Sequence, residues 1–307
     1  MTCQPQQMHT LSPAKINLFL KITGKRADGY HAIASLMVCI DLWDAMTITL
    51  GGSDVAVACD HPAVPSDERN LAYKAAAAFF SALRVRPGPA ASGATPAGAT
   101  ITIHKKIPVA AGLGGGSSNA AAVFLGLNRL LGHPFSKAHL MRLGAKVGAD
   151  VPFFIFGAPA FATGIGDRLQ SCPRLPHLHL LLVCPEIQVS TAWVYKNLNF
   201  ELTKKDKKIK NYPFRDMAAD PVRHLVNDLE TVTLTAFPEI QHIKKALTAR
   251  GAEGVLMSGS GPAVFGVFAD IDRARRARDE LMPAYAWRMF AAGTLNDHFQ
   301  NWGVVKR

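Results

Sequence analysis

The stretch Ile107-Pro108-Val109-Ala110-Ala111-Gly112-Leu113-Gly114-Gly115-Gly116-Ser117-Ser118 decides how the rest of the chain is read. A short β-forming run at 100–104 precedes it. From Ser117 onward Ala120, Ala121, Val123, Phe124, Leu127, Leu130 and Leu131 recur at helical spacing. A glycine loop therefore joins a strand to the start of an apolar helix. Three adjacent glycines let several backbone N–H groups converge on one point with no Cβ in the way. The helix start adds unpaired donors and the positive end of a dipole. Such a loop suits a di- or triphosphate. It is not a Walker loop, since no lysine follows the last glycine, and its glycines miss the dinucleotide spacing. A flexible connection or tight helix packing is the purely structural alternative.

Working outward, no Asp or Glu occurs between Glu68 and Asp150, a window that holds ten basic residues and the whole glycine loop. A polyphosphate site gains from excluding carboxylates, because like charges repel strongly in a poorly solvated cleft. Asp150 follows a helix at 136–147 and its stop at Gly148, and precedes Val151-Pro152-Phe153-Phe154. An aspartate there either caps the next short helix or accepts a proton from a substrate hydroxyl. Upstream, Pro13-Ala14-Lys15-Ile16-Asn17-Leu18-Phe19-Leu20 alternates as a strand, with Lys15, Asn17 and Phe19 on one face. Taken alone, two such polar groups read as edge-strand solubilising residues. Downstream, Ser258-Gly259-Ser260-Gly261-Pro262 reads as a turn between strands at 255–257 and 263–268.

The remaining elements are ordinary. Strands are expected at 15–23 and 36–50 across a turn at 24–29, and a helix at 67–83 with Ser66 or Asp67 as its cap. Residues 87–99 are a low-complexity loop, and a strand follows at 178–183. Helices are expected at 238–250, behind Pro238 and stopped by Gly251, and at 271–281, with a last strand near Met289. The mixture is α+β.

At 307 residues, 49% of them hydrophobic and 19% charged, the chain suits two globular domains and excludes global disorder. No apolar run has the length of a membrane span and no signal peptide is visible, so a cytoplasmic protein is expected. Five scattered cysteines fit reduced thiols better than disulfides or a metal knuckle. The net charge of +11 owes much to a lysine-rich segment at 204–210, and serves phosphorylated small molecules as readily as nucleic acid.

In combination these segments resemble the GHMP kinase superfamily. Residues 107–119 are similar to its phosphate-loop motif, 13–20 to its first motif and 257–262 to its third, in the expected order over nearly the whole chain. Arg26-Ala27-Asp28-Gly29-Tyr30-His31, Gly148-Ala149-Asp150-Val151-Pro152 and Asn227-Asp228-Leu229-Glu230 resemble the branch that acts on a cytidylyl sugar alcohol.

The resemblance implies a two-domain GHMP kinase fold. An S5-like ATP-binding domain would span 1–165, and a ferredoxin-like substrate-side domain 166–307. It implies ATP as phosphoryl donor with Mg²⁺ in attendance, bound along Pro108, Val109, Ala110, Ala111, Gly112, Leu113, Gly114, Gly115, Gly116, Ser117 and Ser118. Ser117 or Ser118 would be the nearest protein group to the metal. By the same resemblance Asp150 is the catalytic base and Lys15 its partner, Asn17 lies beside the sugar alcohol, Tyr30 and Tyr195 sandwich the pyrimidine while His31 reads its edge, and Thr191, just ahead of Tyr195, binds substrate. The expected partners are small molecules, with no nucleic acid and no membrane, in a monomer or homodimer. Alternatives are another kinase of the superfamily, of homoserine or mevalonate type, and a basic RNA-binding protein sharing the S5-like unit. Two features depart from the family: Ala110 stands where glycine is usual, and the lysine-rich segment after Asn199 is longer and reads as a solvated loop.

Overall fold

The computed structural model describes residues 6–27, 29–85, 98–198 and 214–296. Asp28, most of the low-complexity loop and all but the end of the lysine-rich segment lie outside the described residues. The hairpin of β1 (Gln7–Lys25) and β2 (His31–Leu50) opens the chain and organises the sheet. β1 outruns the expected 15–23 at both ends and β2 the expected 36–50 at its start, because the two strands stay paired along the whole hairpin, from Gln7 opposite Thr49 to Lys25 opposite His31. A tight turn in which Arg26 N–H donates to Tyr30 O at 2.8 Å joins them.

There follow β3 (Val55–Cys59), α1 (Leu71–Arg84), β4 (Ala99–His104), α2 (Gly115–Leu130), α3 (Lys137–Val147) and α4 (Val151–Phe156). Strands β5 (Ala160–Gly164), β6 (Arg168–Ser171) and β7 (His179–Cys184) come next, then α5 (Thr191–Lys196) and α6 (Phe214–Ala219). The chain continues through β8 (Val226–Asn227), α7 (Glu230–Ala236), α8 (Pro238–Ala249), β9 (Gly254–Met257), β10 (Val264–Phe268), α9 (Ile271–Leu281) and β11 (Arg288–Leu295).

The strands form one sheet in the order β3-β4-β2-β11-β7-β10-β9. β1 is inserted between β2 and β8, while β5 pairs with both β2 and β6. β11 bridges the early and late strands, pairing with β7 along most of its length and with β2 at Thr294 and Leu295. Helices α1 and α2 cover β2 and β4, burying Phe79, Phe124 and Leu127 against Ile48, Ile101 and Ile103. Each such large side chain removed from water contributes about 1.5–3 kcal/mol. β7 is apolar on both faces: Leu180 and Leu182 join the core beneath β1, and Leu181 and Val183 the core beneath α8 and α9. A strand buried on both sides loses its alternation and reads as a continuous apolar run. Among the described residues, no helix is long and apolar enough to cross a membrane.

Three local expectations are corrected. The cap of α1 is Asn70, whose side chain accepts from Ala72 N–H at 2.9 Å. Asp67 is occupied earlier, by the backbone and guanidinium of Arg69. Lys15 and Asn17 are buried and do not solubilise an edge: β2 pairs along one side of β1, and the other is met by Leu113 O at Lys15 and by β8 at Phe19 and Leu20. Phe19 does not share their face. A register shift between Asn17 and Phe19 resets the alternation, so that Leu20 lines the cleft with Lys15 and Asn17. Phe19 joins Ile16 and Leu18 in the core.

Candidate active site

A cleft of about 970 Å³ runs from the glycine loop across β1 to the start of α5. Every residue expected to act in catalysis or to bind nucleotide or substrate lines it except Ser118. Ser118 is fully buried in the first turn of α2, where its N–H donates to Gly114 O at 2.9 Å. Its hydroxyl has no partner among the described residues. Ser117 is the loop hydroxyl that reaches the cleft.

The glycine loop is tied down by its carbonyls. Leu113 O accepts Lys15 N–H at 2.9 Å, Ala111 O accepts Ala263 N–H at 3.2 Å, and Gly112 O accepts Ser258 Oγ–H at 3.1 Å. The N–H groups of Gly112 through Ser117 have no acceptor among the described residues. A loop whose carbonyls point outward and whose amides are left over is an anion cradle. Glycine is required at two places. Gly114, the N-cap of α2, has φ 70°, and a Cβ there would lie 3.0 Å from Phe154 and 3.1 Å from Lys15. A Cβ on Gly112 would meet Ser258 O at 2.2 Å. Ala110, in place of the usual glycine, is itself held at φ 54°, a left-handed conformation that is unfavourable for an L-residue.

Asp150 occupies the N-cap position of α4, as the capping alternative has it, but its side chain makes no capping hydrogen bond. Its Oδ2 lies 3.6 Å from Lys15 Nζ, with the Asp150 side chain 35% exposed and that of Lys15 only 5%. Lys15 Nζ also donates to Asn17 Oδ1 at 2.6 Å, Asn17 Nδ2 to Ser35 Oγ at 2.8 Å, and Ser35 Oγ–H to Phe19 O at 2.7 Å. This relay fixes the Asn17 amide and aims the lysine at the aspartate.

At the far end of the cleft, the half-buried His31 and Tyr195 rings lie 5.4 Å apart at 32°, and Tyr30 stands 63% exposed at the rim. Burial, reinforced by the charge of Asp150, pushes the Tyr195 hydroxyl up to about 12, so it stays a neutral donor. Burial, with Lys25 nearby, holds His31 below its ordinary 6.5, so its imidazole is neutral at pH 7. Thr191 Oγ1 and Ser260 Oγ are 2.8 Å apart.

The sequence reading missed Asp44. It lies fully buried beneath the glycine loop, pairs with Lys105 Nζ, and accepts Lys106 N–H at 2.8 Å, Ile107 N–H at 2.9 Å and Asn119 Nδ2 at 3.0 Å. A stretch of sequence without acids thus still rests on a buried acid from another strand, although this one is paired with Lys105 and hydrogen-bonded. The signal was available: Asp44 sits in the buried phase of β2, between Leu42 and Met46. Ser35 was missed as well, and its only signal is a hydroxyl in an apolar strand. Among the described residues no group of three or more His, Cys, Asp or Glu side chains is placed to hold a metal.

The model of the GHMP kinases N terminal domain matches residues 70–158, and that of the GHMP kinases C terminal matches residues 214–286. A 4-diphosphocytidyl-2-C-methyl-D-erythritol kinase of Syntrophotalea carbinolica is 47% identical, the match covering 94% of this chain and 99% of that protein. The protein of the same name in Geobacter sulfurreducens is 44% identical, over 92% and 98%. A crystal structure of 4-(cytidine 5'-diphospho)-2C-methyl-D-erythritol kinase superimposes with a TM-score of 0.78 at 34% identity, covering 94% of this chain and 99% of that one. Homoserine kinase from Cytophaga hutchinsonii shares the fold alone, with a TM-score of 0.70 at 17% identity over 97% of each chain. With both family models matched in order and relatives of this identity aligned almost end to end, the chain belongs to the GHMP kinase family.

Proposed function

We propose that the chain transfers the γ-phosphoryl group of MgATP to the 2-hydroxyl of 4-diphosphocytidyl-2-C-methyl-D-erythritol, the compound in its relatives' names. One observation carries the reading: the Lys15–Asp150 pair, at 3.6 Å, lines the same cleft as the unpaired amides of the glycine loop.

In this reading the N–H groups of Gly112 to Ser117 and the start of α2 hold the phosphate chain. The substrate oxygen attacks the γ-phosphorus as the bond to the β,γ-bridging oxygen breaks. The hydroxyl proton passes to the Asp150 carboxylate, and ADP leaves. Lys15 offsets the charge that develops on the transferring group. Positioning and electrostatics supply most of the acceleration, because phosphoryl transfer asks little covalent chemistry of a protein. Asn17 lies against the sugar alcohol. His31 and Tyr195 hold the cytosine, Tyr30 closes over it from the rim, and Thr191, beside Ser260, adds a substrate contact. Mg²⁺ enters as part of the nucleotide substrate, held mainly by phosphate and water oxygens with Ser117 as the nearest protein hydroxyl.

We place the enzyme in the cytoplasm, where ATP and reduced thiols are available, acting on small molecules as a monomer or homodimer, with no nucleic-acid partner. The test is direct. Purified protein is incubated with MgATP and, separately, the cytidylyl alcohol, homoserine and mevalonate. ADP formed only with the cytidylyl compound is the expected result. ADP formed with either of the others instead overturns the substrate, and none with any overturns the reading.

A further inference from the structure

Asn227 does not line the cleft, yet it holds together two of the pieces that do. Its strand β8 lies parallel to β1, Leu20 opposite Asn227, and Asp228 N–H donates to Leu20 O at 2.9 Å. Asp228 Oδ2 in turn accepts Ile22 N–H at 2.8 Å. The segment is thereby fastened to the strand that carries Lys15 and Asn17.

The Asn227 side chain, 4% exposed, faces the third loop. Its Nδ2 donates to Met257 O at 2.9 Å and Gly259 O at 2.7 Å, and its Oδ1 accepts Leu229 N–H at 3.0 Å. Glu230 adds a second tie, accepting Met257 N–H at 2.8 Å while paired with Lys244. The turn they hold is wedged between the two halves of the cleft. Ser258 Oγ donates to Gly112 O. A Cβ built on Gly259 would sit 3.2 Å from Gly112 O and 3.5 Å from Asn17 Oδ1. Gly259 and Ser260 both line the cleft, and their N–H groups have no acceptor among the described residues.

Building on the phosphoryl-transfer reading above, we propose that Asn227 is a positioning residue. Donating to Met257 O at the end of β9 and to Gly259 O in the turn, one amide holds the turn at 258–261 against Gly112 and Asn17; beside the direct Lys15 N–H to Leu113 O bond, it fixes the approach of the alcohol to the γ-phosphate. Only a side chain with two donors and one acceptor satisfies this site. An aspartate of the same shape would press a carboxylate against two carbonyl oxygens. Misplacement by about 1 Å costs on the order of 10²-fold in rate.

The experiment compares Asn227→Ala and Asn227→Asp with the wild-type chain for Tm, kcat, both KM values and affinity for a non-hydrolysable MgATP analogue. Both variants are expected to lose about 30- to 100-fold in kcat per folded molecule. KM for the cytidylyl substrate should stay within about 2-fold, because His31 and Tyr195 are untouched, and analogue affinity should fall about 3- to 10-fold. A kcat that follows only the folded fraction would overturn the proposal, for that is the behaviour of a purely structural residue. If neither variant folds, Ser258→Ala, which removes only the bond to Gly112 O, decides. A fall in kcat of about 3- to 10-fold upholds the proposal, and an unchanged kcat overturns it. Should the wild-type protein phosphorylate none of the alcohols, the function reading fails by itself. The positioning claim is then judged by analogue affinity, upheld by the stated loss and overturned by none.

Discussion

Two glycine-containing loops meet in the cleft, and they are built in opposite ways. The loop at 112–117 makes its donors from its own chain: the glycines, the left-handed cap at Gly114 and the open first turn of α2 are all local. The turn at 258–261 owes its place to groups more than twenty residues away, Asn227 and Glu230 on one side and Gly112 on the other. The Lys15–Asp150 pair is assembled in the same remote manner, from β1 and the residue before α4. The phosphate donors are thus local, even though the loop's carbonyls are tied to Lys15, Ser258 and Ala263, whereas the reacting pair is wholly tertiary. Substitutions should separate the two.

The largest effect is expected at the pair. Asp150→Asn should lower kcat by about 10²- to 10⁴-fold, the range for loss of a positioned acid–base group. Affinity for MgATP should remain near that of the wild type, as measured by steady-state kinetics beside nucleotide titration. Equal loss of both would show that the aspartate belongs to the nucleotide site. Gly114→Ala is the converse. Its Cβ, in a left-handed residue pressed on Phe154 and Lys15, should weaken analogue binding by roughly 10-fold or more, read by calorimetry. Since Lys15 is one of the neighbours, kcat should fall as well. Unimpaired nucleotide binding would remove Gly114 from the cradle.

Tyr195→Ala tests the far end of the cleft. Loss of the ring should raise KM for the cytidylyl substrate by about 3- to 10-fold, the worth of an aromatic contact, and leave KM for ATP unchanged. An equal rise in both would place the ring elsewhere. The smallest effect belongs to Ala110→Gly. Relief of a left-handed alanine, worth about 1–2 kcal/mol, is partly offset by the added freedom of the unfolded chain, about 0.4–1 kcal/mol. Tm should rise slightly or hold, and a clear fall would mean that the alanine methyl is itself required.

What the sequence made legible follows the same division. The glycine loop, α2, α3, the helix behind Pro238 and the helix at 271–281 rest on spacing, caps and stops within a few residues, and each lies close to where periodicity puts it. Lys15 and Asn17 were visible as polar groups in an apolar strand. Their burial was not, because it depends on remote segments packed over that part of β1, the glycine loop and Asp150 at Lys15 and Ser35 of β2 at Asn17. The β1 register shift is invisible to alternation, which is why Phe19 was assigned to the wrong face. Asp44 marks the boundary between the two classes: its phase in β2 announces a buried carboxylate, and nothing local announces Lys105 as its partner. Resemblance to the family supplied what spacing could not, the pairing of Lys15 with Asp150, remote in sequence and 3.6 Å apart in the structure, and the gathering of Tyr30, His31 and Tyr195 along one cleft, where the His31 and Tyr195 rings lie 5.4 Å apart.

The cradle itself is tested most directly by amide spectroscopy. Titration of isotopically labelled protein with a non-hydrolysable MgATP analogue should shift the Gly112, Gly114, Gly115 and Gly116 N–H resonances downfield, as unpaired donors acquire phosphate acceptors. Saturable binding that leaves those four resonances in place would contradict the account.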